Sequence, residues 1–172
     1  VYTSGGMFPM LPEKLSTDLT SLGEGQDRLA VVVEMVIAED GAILSSTLFR
    51  ALVRNHAKLA YNSVAAWLAG EAPEPERVKA ISGLDAQLRL QDQVAQRLKV
   101  RRHQQGALSL ETIEPRAVFE GEVLTDLRVE QKNRAKELIE DFMIAANQAT
   151  ASYLKGKGMP SFRRILRSPE RW

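Results

Sequence analysis

The spacing of apolar positions changes several times along this chain, and each change marks an element. Phe8-Pro9-Met10-Leu11-Pro12 follows a Gly5-Gly6 loop, and its two prolines remove backbone donors and conformational freedom, which predicts an extended connector. Leu15, Leu19 and Leu22 then recur at helical spacing ahead of Gly23, predicting a short helix with one apolar stripe. From 29 to 38 the density of β-branched residues rises. Asp40-Gly41 precedes a second such run through Ile43, Thr47, Phe49 and Val53, the pattern of an antiparallel hairpin.

Helical periodicity returns with Ala57, Ala60, Tyr61, Val64, Ala65 and Leu68, which predicts an amphipathic helix over 55–68 stopped by Gly70. Pro73 and Pro75 punctuate a loop. Residues 76–105 read as a further helix through Ile81, Leu84, Leu88, Ala95 and Leu98, with Gly83 as its weak point and Gly106 as its stop. Strands are expected at 107–110, 116–119 and 122–129, the last two joined at Glu120-Gly121. Asn133 can cap a final helix whose face is Ala135, Leu138, Ile139, Phe142, Met143, Ala146, Ala149, Thr150 and Tyr153, ended by Gly156, Gly158 and Pro160. Hairpin, two helices, antiparallel strands and helix in that order contain no regular βαβ alternation. The fold class is therefore α+β, an antiparallel β-sheet with amphipathic helices packed on it.

Composition narrows the function classes. A chain of 172 residues, 44% hydrophobic and 26% charged, can enclose one ordinary core. Lys+Arg 23 against Asp+Glu 22 leaves a net charge of +1, so contact with a polyanion must come from local clusters. With no cysteine there are no disulfides, thiolate zinc sites or thiol nucleophiles, as suits a reducing cytoplasm. No apolar run approaches the roughly 20 residues that span a bilayer, so a cytoplasmic protein with no membrane partner is expected. The chain opens at Val1 without an initiator methionine and closes on Ser168-Pro169-Glu170-Arg171-Trp172, and it reads as a fragment.

Candidate chemistry is sparse. The two histidines, His56 and His103, stand near no Gly-x-Ser-x-Gly turn, which argues against a hydrolase triad. Arg101-Arg102-His103 reads first as a cationic last helical turn and second as a phosphate contact. No carboxylate cluster suits a metal: Glu140 and Asp141 diverge by about 100° on a helix, and Asp85 and Asp92, among polar neighbours, are expected to face solvent. Single-stranded nucleic acid needs aromatic platforms and cations. Tyr2 in its glycine-flanked loop is either an exposed ring or a loop anchor. For Tyr61 periodicity alone favours a core tyrosine with its hydroxyl satisfied at the edge, and for Glu140 an intrahelical pair with Lys136.

The run Phe8-Pro9-Met10-Leu11-Pro12-Glu13-Lys14-Leu15-Ser16-Thr17-Asp18-Leu19-Thr20-Ser21-Leu22 resembles the "PMLP…LS…LCSL" signature of the ribonuclease II/R superfamily. Ala57-Lys58-Leu59-Ala60-Tyr61 is similar to that family's "K-L-x-Y" helix, and Gly106-Ala107-Leu108 to its "GAL" strand entry. Ile139-Glu140-Asp141-Phe142-Met143-Ile144-Ala145-Ala146-Asn147 is similar to "EEFMxxAN". The resemblance implies that residues 1–172 are the central part of one RNB-type catalytic domain, incomplete at both ends. It implies 3′→5′ hydrolysis of single-stranded RNA to nucleoside 5′-monophosphates. By position Tyr2 resembles the tyrosine that blocks the end of the RNA channel, Tyr61 the one that packs against a terminal base, and Glu140 the acidic residue contacting the terminal nucleotides. The family's stacking phenylalanine is matched by Leu110, which can wedge but cannot stack. The partners implied are single-stranded RNA and the remainder of the same polypeptide, which would supply the Mg²⁺-binding aspartates, an arginine motif and flanking RNA-binding domains. No catalytic or metal residue is expected within the chain itself. The alternative is a catalytically inactive RNA-binding or scaffold protein derived from the same domain.

Overall fold

The computed structural model describes residues 2–3, 6–108, 115–121, 123–129 and 133–162, with only the backbone described at 2–3, 6–7, 115–117 and 128–129. Its strands form three antiparallel pairs: β1 (Tyr2–Thr3) with β2 (Gly6–Met7), β3 (Asp27–Ile37) with β4 (Ile43–Arg54), and β5 (Pro115–Glu120) with β6 (Val123–Val129). The helices are α1 (Tyr61–Ala69), α2 (Glu76–Lys79), α3 (Leu84–Gln104) and α4 (Arg134–Gly156). The class is α+β as expected, and among the described residues the strands stay in separate pairs while α4 packs against both β3 and β4.

The long hairpin follows the alternation of its sequence. Leu29 faces Leu52, Val32 faces Phe49 and Val33 faces Leu48, with a register shift between Val36 and Ile37 that adds twist just before the turn. At the tip the Gly41 amide donates to the Ala38 carbonyl at 3.0 Å, the Ala38 amide to the Ala42 carbonyl at 2.8 Å and the Ala42 amide to Asp40 Oδ1 at 3.0 Å. Gly41 is required twice over. Its φ is +81°, and a Cβ there would stand 2.5 Å from the Arg97 carbonyl oxygen of α3. Arg101 then pairs with Asp40 at 2.5 Å, so the hairpin is seated tip-first on the second half of α3.

The core lies between the helices. Val64, Ala65, Trp67 and Leu68 of α1 meet Val78 of α2, Leu88 of α3 and Ala135 of α4, with Leu59 and Leu84 packed at the margin. Val78 is fully enclosed, and Arg89 covers the outer side of Trp67 with its guanidinium 4.5 Å from the ring centre. Each of the larger side chains withdrawn from water contributes about 1.5–3 kcal/mol, so this small cluster holds the four helices together. Ala95, Leu138, Ala145 and Ala149 extend the same seam along α3 and α4, where small residues let the axes approach.

Four expectations need correction. The helix predicted over 55–68 begins only at Tyr61, because the backbone before it is spent on lateral hydrogen bonds: Ala57 N–H donates to Asn55 Oδ1 at 3.0 Å and Lys58 N–H to Glu24 Oε2 at 2.7 Å. The helix predicted over 76–105 is two helices parted at Gly83, whose φ of +78° no helix interior accommodates. The leucine stripe before Gly23 forms a π-helical turn, Lys14–Asp18, and Leu15, Leu19 and Leu22 stay 40%, 51% and 52% exposed. Of the strand predicted at 107–110, residues 107 and 108 carry no strand pairing, and Ser109 and Leu110 lie outside the described residues.

Candidate functional site

Tyr61 is the first residue of α1, after an extended Ala60 that offers no side-chain cap. At that position no preceding helical turn stands over the ring, and it is 48% exposed. The reading as a core tyrosine is thereby replaced by a ring at the rim of an apolar cleft of about 190 Å³. The walls are Tyr61 and Val64 of α1, Leu88 of α3, and Ala135, Leu138 and Ile139 of α4, and Gln91 adds one amide. Such a lining removes water from a flat apolar ligand on one side while the phenol ring offers a face on the other.

Polar ties fix the walls relative to one another. Asn133 caps α4 by accepting from the Lys136 amide at 3.0 Å, and its own amide donates to Asn62 Oδ1 at 2.9 Å, joining the starts of α4 and α1 beside Tyr61. Arg134 grips Asp92 of α3 with both arms, Nε to Oδ1 at 2.7 Å and Nη2 to Oδ2, while Nη1 reaches the Leu68 carbonyl at 3.4 Å. Asp92 is 3% exposed, so its expected place in solvent is wrong. A carboxylate survives that burial because a two-pronged guanidinium compensates it. Asp85, seven residues earlier, is exposed as expected.

Glu140 sits one residue beyond Ile139 but about 100° further round α4. It is half-buried, does not line the Tyr61 cleft, and like Lys136 engages partners within the protein. Tyr2 lies in β1, opposite Met7, and its side chain is outside the described residues, as is Leu110. The structure thus brings Tyr61 together with the wall of α4 that immediately precedes Glu140.

A second, polar hollow lies where the hairpin tip meets α3 and α4, lined in part by Arg101, Arg102, Gln105, Asp141 and Gln148. Burial pushes the Asp141 carboxyl above its usual range, against which the Arg102 guanidinium at 2.9 Å and the Lys99 charge act. Arg101 is committed to Asp40, Arg102 to Asp141, and His103 Nδ1 lies 3.1 Å from the Ala107 carbonyl. The Arg-Arg-His run therefore closes a helix end and locks it to its neighbours.

Among the described residues no three of His, Cys, Asp and Glu are grouped to hold a metal, and the two buried carboxylates are on different helices, each held by an arginine. Magnesium does not fit the described residues. Among the same residues no helix is long and apolar enough to cross a membrane. Sequence reasoning missed Asn62 and Glu24 as supports of the Tyr61 segment, since their partners are 71 and 34 residues away and leave no local pattern.

Fold and site describe an α+β domain with an open aromatic ring over an apolar cleft, and the chain belongs to the RNB domain family, whose model matches residues 1–172. Ribonuclease R of Vibrio parahaemolyticus is 36% identical over 170 residues, which are 98% of this chain and 20% of that protein. Exoribonuclease 2 of Cronobacter sakazakii is 38% identical over 159 residues, 91% of this chain and 24% of that protein. Among solved structures, Mycoplasma genitalium RNase R in complex with ribose methylated single-stranded RNA superposes with a TM-score of 0.73 at 25% identity, covering 87% of this chain and 23% of that one. The chain spans a fifth to a quarter of the length of the relatives it matches.

Proposed function

We propose that this chain is the RNA-handling part of a 3′→5′ exoribonuclease that hydrolyses single-stranded RNA to nucleoside 5′-monophosphates. The observation that carries the proposal is Tyr61: an RNB-family chain holds this ring 48% exposed over an apolar cleft walled by three helices. In this reading the ring packs against the base at the RNA 3′ end, Glu140 contacts the neighbouring nucleotides, and Tyr2 closes the end of the channel. The family relatives named ribonuclease R and exoribonuclease 2, one of them with single-stranded RNA bound, support the substrate class. The hydrolytic step, with its Mg²⁺, belongs to residues outside this chain.

The division of labour is physical. Stacking tolerates any base because every base has a π-face, so a tyrosine platform grips the end of an RNA without selecting its sequence. The test is Tyr61→Ala and Tyr61→Phe in the intact protein, read as affinity for a single-stranded oligoribonucleotide and as melting temperature. A stacked base is worth about 1–3 kcal/mol, so the alanine variant is expected to bind about 5- to 150-fold more weakly and the phenylalanine variant to stay near wild type. Unchanged affinity in a stable alanine variant overturns the reading.

A further inference from the structure

We infer that Glu24 is a positioning residue for the RNA 3′ end, setting where Tyr61 stands by holding the six residues before it out of the helix. The inference rests on the reading of Tyr61 just given.

The sequence from Asn55 onward has helical periodicity, yet α1 begins at Tyr61. Three backbone groups of the segment that the pattern assigns to the helix start are tied elsewhere. The Asn55 carbonyl accepts from the Gly25 amide at 2.8 Å, the Ala57 amide donates to Asn55 Oδ1 at 3.0 Å, and the Lys58 amide donates to Glu24 Oε2 at 2.7 Å. The Asn55 side chain completes the tie by donating to the Leu22 carbonyl at 3.0 Å. Of these partners Glu24 is the one charged acceptor. It is held in turn by Arg77 Nη1 at 2.5 Å, next to Val78, whose side chain is fully enclosed in the core.

The carboxylate therefore anchors a loop to a rooted helix. Its pKa lies below the ordinary range, first because the Lys58 amide donates to it and then because Arg77 stands beside it. The ion pair itself is exposed, with Arg77 at 60% and Glu24 at 39%, so its charge contributes little. What matters is an acceptor for Lys58 N–H. Without it the Lys58 segment loses its lateral tie, the helix can grow toward Asn55, and the added turn packs beside Tyr61 and covers a ring that now stands open at the helix start.

The experiment uses the intact protein and a 5′-labelled single-stranded oligoribonucleotide as probe, with Glu24→Ala, Glu24→Gln, Tyr61→Ala and the Glu24→Ala/Tyr61→Ala pair. Glu24→Ala is expected to raise KM and Kd roughly three- to tenfold, about the effect of one hydrogen bond, with kcat near wild type. Glu24→Gln keeps an oxygen acceptor and is expected to recover most of the loss. The double variant should bind no more weakly than Tyr61→Ala alone, because Glu24 acts through that ring. Multiplying losses in the double variant, or a Glu24→Ala protein that binds as wild type, overturns the inference while leaving Tyr61 in place. A Tyr61→Ala protein that binds normally overturns the reading of the site itself.

Discussion

Replacing Gly41 with alanine imposes two separable costs on the hairpin tip. The backbone stays at φ +81°, a left-handed conformation that costs a residue with a Cβ about 1–2 kcal/mol. The new Cβ meets the Arg97 carbonyl oxygen at 2.5 Å and its carbon at 2.8 Å, where ordinary contact begins only at 3.4 Å. Both atoms are helix backbone and cannot rotate aside, so the tip must withdraw, at an overpacking cost of about 1–3 kcal/mol. The sum is about 2–5 kcal/mol. Gly83 is the control: its φ is +78°, but nothing lies within 4 Å of an added Cβ, so Gly83→Ala bears only the backbone cost. Denaturant unfolding of the two variants in the intact protein, followed through the transition of this domain, should place Gly41→Ala about 1–3 kcal/mol below Gly83→Ala. Amide exchange around 97–102 should quicken in the first variant alone. Equal losses in the two would refute the seating of the hairpin on α3.

Two further outcomes follow from the buried charges. Arg134→Ala strands the Asp92 carboxylate at 3% exposure and should cost about 3 kcal/mol, at the low end for a buried pair because water reaches the 42%-exposed arginine. Adding Asp92→Leu should restore most of the loss in the same denaturation assay, and a first variant within about 0.5 kcal/mol of wild type would show the pair to be solvated. At Asp141 the folded chain holds its proton more tightly than the unfolded chain, so this group's contribution to stability is greatest below the ordinary value of 3.8 and declines as pH rises through the raised folded value. Asp141→Asn removes that decline, and denaturation midpoints across acid pH that fall as steeply in the variant as in wild type would contradict the assignment.

Where the sequence predicted well, the governing contacts are local. Asp40-Gly41 marks the turn between β3 and β4, and Asn133 caps α4 through the Lys136 amide three residues on. Asp92 was readable and misjudged: it falls four residues after Leu88 and three before Ala95, on the buried stripe of α3 itself. The start of α1 was not readable, because the Lys58 amide before it is held by Glu24 from 34 residues away, a contact that leaves no local pattern. Tyr61 illustrates the same limit. Periodicity assigns it a face, but exposure depends on where along that face the helix begins.

No residue of β3 or β4 is buried, and among the described residues the two strands pair only with each other. Leu29 and Leu52, directly opposite one another, are 85% and 65% exposed, with Val31 beside them at 68%. Open strand edges next to an uncovered apolar patch are the ingredients of intermolecular strand addition. The hairpin is thus a determinant of solubility as well as an arm on α3: a preparation in which this surface is left bare is prone to self-association, and paired lysines at 29 and 52 would suppress it at a distance from the seated tip.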